Sequence, residues 1–225
     1  MALRLSIVLF FILPVGVYGQ DAGRAAPLPA PAAKTSPTPI ATPKSPAASE
    51  NIDGNGNYIF RWTDVEEGAF KIRFLGKPVR TVKAMDFGFG PVDRINFESE
   101  TPFGVFILNY MDLPYRITDE KRLRLLYDDL EDDSAKRGNT ILGSKDVDID
   151  GYLGRDFLIK MPGDATMTAT INMRIVMVDK RCFQLSVIRL VTNRSVTPEK
   201  TKESEKHVKD FFDSFSPVKK PSTDA

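Results

Sequence analysis

Asp146, Asp148 and Asp150 stand at alternate positions ahead of Gly151, with Leu153 two residues further on. Counted from Asp146, this puts acids at places one, three and five, a glycine at six and an apolar residue at eight, the order of a calcium-binding loop between two helices. The same residues also read as strand, turn and strand, with Val147 and Ile149 on one face and the aspartates on the other. The twelfth place, where a calcium loop needs a bidentate carboxylate, is Phe157, and the flanks alternate like strands. The aspartates are therefore the chain's calcium-ligand candidates, yet the stretch is expected to act as a turn that registers two strands.

Other chemistry is thinly supplied. His207 is the single histidine, set among charged residues of a C-terminal helical pattern, and reads as a solvated helix side chain rather than a general base. Cys182 is the single cysteine and sits among apolar residues, where a thiol behaves as a small inert hydrophobe. One His and one Cys without ligand spacing do not make a zinc site. Gly88-Phe89-Gly90-Pro91 lacks the spacing of a phosphate loop and reads as a turn. Asn51 to Asn57 also alternates oxygen-bearing side chains, but Trp62 stands where its closing acid would be. Arg155 and Asp156 read as a structural ion pair at the turn, with Arg155 placed to neutralise the aspartate face. Asn193-Arg194-Ser195 matches a glycosylation acceptor. No catalytic residue, cofactor or firm metal site is expected, and an uncharacterised enzyme is the third of three readings.

Residues 1–19 have the form of a secretory signal: Arg4, an apolar run over 5–13, and Val17-Tyr18-Gly19 as a cleavage site. The run is shorter than the roughly 20 apolar residues that span a bilayer, so cleavage and export to a periplasmic or extracellular space are expected, with no transmembrane segment in the mature chain. The 31 Lys and Arg face 30 Asp and Glu, and Arg4 is the one charge in the signal, so the mature chain is formally neutral. That argues against nucleic acid as a partner. A lone cysteine also rules out an intramolecular disulfide, which leaves the hydrophobic core to hold the fold. Residues 20–50, rich in Pro, Ala, Ser and Thr, read as a disordered spacer.

The folded part is expected over residues 51–216, with a polar tail at 217–225. Strand-like alternation recurs at 58–63, 70–74, 79–87, 92–98 and 103–110. From Thr118 the apolar period becomes helical through Leu123, Leu126, Tyr127 and Leu130, with Thr118 as the expected cap. Strands follow at 140–150, 155–161, 166–178 and 181–191. The last two form a hairpin across Asp179-Lys180 that is apolar on both faces, which calls for cover on both sides of the sheet. Thr197-Pro198-Glu199 opens a final helix with Val208, Phe211, Phe212 and Phe215 as its apolar stripe. The fold class is thus α+β, an antiparallel sheet of about six or more strands flanked by two helices.

Trp62 followed by Gly68-Ala69-Phe70-Lys71-Ile72-Arg73-Phe74-Leu75-Gly76-Lys77-Pro78, then Tyr110-Met111-Asp112-Leu113-Pro114, Gly151-Tyr152-Leu153-Gly154-Arg155-Asp156-Phe157, Arg181-Cys182-Phe183-Gln184-Leu185 and Phe211-Phe212-Asp213-Ser214-Phe215 resemble a group of exported bacterial proteins with a PsbP-like domain. Leu75 stands where that group has Pro. The resemblance implies an antiparallel sheet between helices, in an α/β/α sandwich, and a habit of binding other proteins, with no catalytic residues. The leading expectation is a non-catalytic binding or accessory module that engages another envelope or extracellular protein. The alternative is a binder of small apolar ligands, using a pocket between helix and sheet lined by Met173, Met177 and Phe residues.

Overall fold

Ile171, Met173, Ile175 and Met177 alternate with Asn172, Arg174, Val176 and Val178, so the strand they form offers a different surface on each face. In the computed structural model, which describes residues 61–86, 90–163, 167–192 and 198–218, that strand lies near the middle of a seven-stranded sheet. The elements in chain order are β1 (Trp62–Glu67), β2 (Phe70–Leu75), β3 (Val79–Asp86), β4 (Pro91–Thr101), β5 (Gly104–Asp112), α1 (Glu120–Lys136), β6 (Thr140–Ile149), β7 (Tyr152–Met161), β8 (Met167–Val178), β9 (Arg181–Thr192), α2 (Pro198–Asp213) and β10 (Ser216–Pro217). The large sheet runs β3-β4-β5-β9-β8-β7-β6 and is antiparallel throughout.

The expected cover is present on both faces. On one face, Leu123, Tyr127 and Leu130 of α1 pack against Phe157 and Ile159 of β7 and the odd-numbered residues of β8. On the other, Phe211 and Phe212 of α2 join Phe70, Ile72 and Phe74 of β2 against Phe106, Leu108, Phe183, Leu185 and Val176. Phe70 lies at the centre, meeting the rings of Phe97, Tyr110 and Phe183 at 5.6–5.9 Å in edge-on arrangements. Fully burying one such side chain contributes about 2 kcal/mol, and several do so here.

Some expectations are corrected. β1 and β2 do not extend the main sheet: they form a separate three-stranded sheet with β10, in the order β1-β2-β10. The reason is that β2 buries Phe70, Ile72 and Phe74 against the face of the large sheet, so it must lie over that face and not beside its edge. The strand expected over 58–63 is found at Trp62–Glu67, and Tyr58 to Phe60 lie outside the described residues. Asp119, not Thr118, caps α1: its carboxylate accepts the Lys121 N–H at 2.9 Å and also places negative charge at the helix N-terminus. Pro217 was expected outside the fold, yet it is buried and pairs with Phe70, and the Val218 N–H donates to the Ala69 carbonyl at 2.8 Å. Among the described residues no helix is long and apolar enough to cross a membrane.

Candidate binding surfaces

The turn between β6 and β7 is Asp150-Gly151, with φ of 54° and 87°. Two successive positive φ values make the two-residue turn that suits the twist of a tight hairpin, and Asp-Gly is a favoured pair for it. Register follows: Ile149 pairs with Tyr152 and Asp146 with Arg155. The three aspartates share no partner. Asp146 accepts from Arg155 Nε at 2.7 Å and also meets Arg124 of α1; Asp148 Oδ1 accepts the Gly151 N–H at 3.0 Å; Asp150 Oδ2 accepts the Ser216 hydroxyl at 2.8 Å. Among the described residues no group of three His, Cys, Asp or Glu side chains is arranged to hold a metal ion.

Arg155 and Asp156 are not a pair. Neighbours on a strand point to opposite faces, so Arg155 turns toward α1 and Asp156 toward α2. Of the three aspartates it was expected to neutralise, Arg155 binds Asp146 alone, and it also binds Asp128 of α1, while its guanidinium lies 5.5 Å from the Tyr127 ring centre. The Tyr127 hydroxyl donates to the Leu153 carbonyl at 2.9 Å, and burial raises its pKa well above the ordinary tyrosine value. Asp156 receives Arg174 through both oxygens, at 2.6 and 3.0 Å. Arg174 also donates to the Phe212 carbonyl at 3.1 Å and stacks 5.1 Å from the Phe212 ring, tying the end of α2 to β8. Arg174 passed unnoticed in the sequence; its signal was a polar residue on the parity that Val176 and Val178 bury.

His207 is not the solvated side chain expected. It is 16% exposed, with its ring 4.6 Å from that of Phe103 and 6.0 Å from that of Trp62. Nε2 lies 3.8 Å from Glu203, and Nδ1 is buried with no hydrogen-bond partner among the described residues. Trp62 and the β4–β5 turn close over it, which helical spacing alone does not reveal. Cys182 faces α1 and is buried, and loss of solvation pushes its thiol pKa up to about 12. Neither residue opens on a cleft with a second reactive group. Asn193 lies outside the described residues.

Two spaces flank the sheet. Between α1 and the sheet is a cavity of about 20 Å³ lined by Met177, Cys182, Leu126, Leu130 and the amides of Asn109 and Gln184. That is room for one water, not for an organic ligand. At the C-terminal end of α2, on the opposite face, an open groove of about 330 Å³ is lined by Gly143, Lys145, Asp156, Leu158, Asn172 and Phe212. Of the residues expected to line a ligand pocket, Met177 lines the small cavity, and Met173 and Phe157 pack under α1 while also bordering the groove.

The edges of the large sheet also differ. β6 is guarded by an irregularity between Ile141 and Gly143 and by Lys145, Asp146 and Asp148 along its length. β3 pairs with β4 without a break from Val79 to Asp86, and seven of its eight residues are exposed, including Val79 and Val82. An unbroken outer strand of this kind presents a row of backbone donors and acceptors to a further strand. In comparisons with known proteins, no family model and no curated protein matches this chain.

Proposed function

We propose that this chain is an exported, non-catalytic binding or accessory module that engages a partner protein by adding an extended segment of it to β3. The observation that carries the reading is the contrast between the two edges of the large sheet. Edge strands are usually blunted by bulges, charges or cover; both edges carry charges, Arg80, Lys83 and Asp86 on β3 and Lys145, Asp146 and Asp148 on β6, but β6 is also broken by an irregularity, whereas β3 has an unbroken ladder with Val79 on one face and Val82 on the other. Strand addition takes affinity from backbone hydrogen bonds and selectivity from alternate side chains. The antiparallel sheet with a helix on each face supports a PsbP-like α+β fold, and the resemblance to that group, whose members bind other proteins, points the same way. The secretory form of residues 1–19 and the Pro-rich stretch over 20–50 support export and a spacer.

A photoreactive amino acid placed at Val82 in the native host tests this. A covalent protein adduct is expected from position 82 and not from Leu142, which is equally exposed on the guarded edge. No adduct from position 82, or equal yields at both edges, would overturn the reading.

A further inference from the structure

We propose that the groove at the C-terminal end of α2 binds a small organic dianion with an apolar middle. One acidic group meets Lys145, the other meets Arg189 beside Asn172, and the apolar part lies over Leu158 and Phe212. The site goes beyond partner binding at β3, since it lies toward the other edge of the sheet.

Sheet register places these groups on one face. Lys145 pairs with Asp156, Leu158 with Asn172, and Lys160 with Thr170, which in turn pairs with Arg189. The apolar Leu158 therefore lies one row from Lys145 on one side and one row from Arg189 on the other. Arg189 donates to Asn172 Oδ1 at 3.1 Å, which holds its guanidinium against a groove-lining amide.

Charge decides the class of ligand. Asp156 is the acid lining the groove, and both of its oxygens are taken by Arg174. Lys145 and Lys160 have no carboxylate partner among the described residues, and Arg189 has only the neutral Asn172, with its Nε buried and unpartnered. Arg80, Arg155, Arg174 and Arg181 each hold a carboxylate. Lys145 thus lines the groove and Arg189 borders it through Asn172, neither with a matching acid, beside the aliphatic and aromatic carbon of Leu158 and Phe212. A volume of about 330 Å³ lies within the range of small-molecule sites, about 300–1,000 Å³. Oxyanions make charge-assisted hydrogen bonds with such cations.

The test is a titration of the full chain with octanedioate, octanoate and inorganic phosphate, followed by amide chemical shifts. Octanedioate should shift Gly143, Leu158 and Asn172 saturably and bind about tenfold more tightly than octanoate, one charge-assisted contact being worth roughly 1.4 kcal/mol. Lys145→Gln should weaken it about threefold, as an exposed contact, and Arg189→Gln about tenfold. Leu158→Glu, which adds an acid to the groove while its thermal melt shows a folded protein, should abolish binding. Equal affinity for octanoate or for phosphate, shifts that do not saturate, or unchanged affinity in both cation variants would overturn the proposal.

Discussion

Arg155 and Asp156, consecutive in β7, form ion pairs on opposite faces of the large sheet. Arg155 binds Asp146 at 2.7 Å under α1, and Asp156 binds Arg174 at 2.6 Å beside α2. Each arginine side chain is 10% exposed and lies over an aromatic ring of the helix on its own face, Tyr127 for Arg155 and Phe212 for Arg174. One dipeptide thus docks both helices onto the sheet, in the manner of two clamps that share a strand.

The clamp on the α2 side should be costly to break from one end. Arg174→Met leaves Asp156 without a partner in a half-buried place and removes the donor to the Phe212 carbonyl, which predicts a loss of about 3 kcal/mol in urea unfolding. Replacing both members, Arg174→Met with Asp156→Leu, should recover most of that loss, since no lone charge remains. A single-variant loss below about 1 kcal/mol would show the pair to be no more than a surface contact.

Cys182 predicts an alkaline weakness. Its folded pKa, about 12, lies above the ordinary value of about 8.5, so the folded chain keeps a proton that the unfolded chain gives up. The stability linked to this thiol is complete below about pH 8.5 and declines as pH rises toward 12, by up to about 1.4 kcal/mol per pH unit. Cys182→Ala should lower stability at pH 7.5 and flatten the decline between pH 8.5 and 10. Identical slopes in both proteins would refute the assignment.

Gly104 begins β5 with φ of 140°, and a Cβ there would lie 2.6 Å from the Ile188 carbonyl oxygen of β9. A backbone atom in a central ladder cannot step aside, so Gly104→Ala should cost at least about 2 kcal/mol. Gly68, in the β1–β2 turn, has φ of 48° with nothing near its missing Cβ, so Gly68→Ala should cost only about 1 kcal/mol. Melting temperatures of the two variants check the ranking; a milder effect at Gly104 would contradict the packing described.

Much of the architecture was legible because periodicity reports which side chains share a face. The alternation of β8, the Gly-containing turn after β6 and the stripe of Val208, Phe211 and Phe212 led to a hairpin sheet covered on both sides, although the turn is the two residues Asp150-Gly151 and β7 begins at Tyr152, not at Arg155. Both candidate binding surfaces were harder to see. Lys145, Asn172 and Arg189 are separated by 27 and 17 residues in the chain and come to one face only when β6, β7, β8 and β9 lie side by side. The unbroken outer ladder of β3 is likewise a property of its place at an edge, not of its composition.

Residue types and spacing alone determined the α+β class, a Gly-containing turn after Asp150, the helical stripes and the supply of a single histidine and a single cysteine. Tertiary structure alone decided that β1 and β2 leave the main sheet to lie over its face, that Pro217 completes their small sheet, that His207 is enclosed by Trp62 and Phe103, and which carboxylate each arginine holds. The division has one physical cause. Local pattern specifies which way a side chain points, whereas its neighbours come from strand order and layer packing, which are set by long-range burial and not by spacing along the chain.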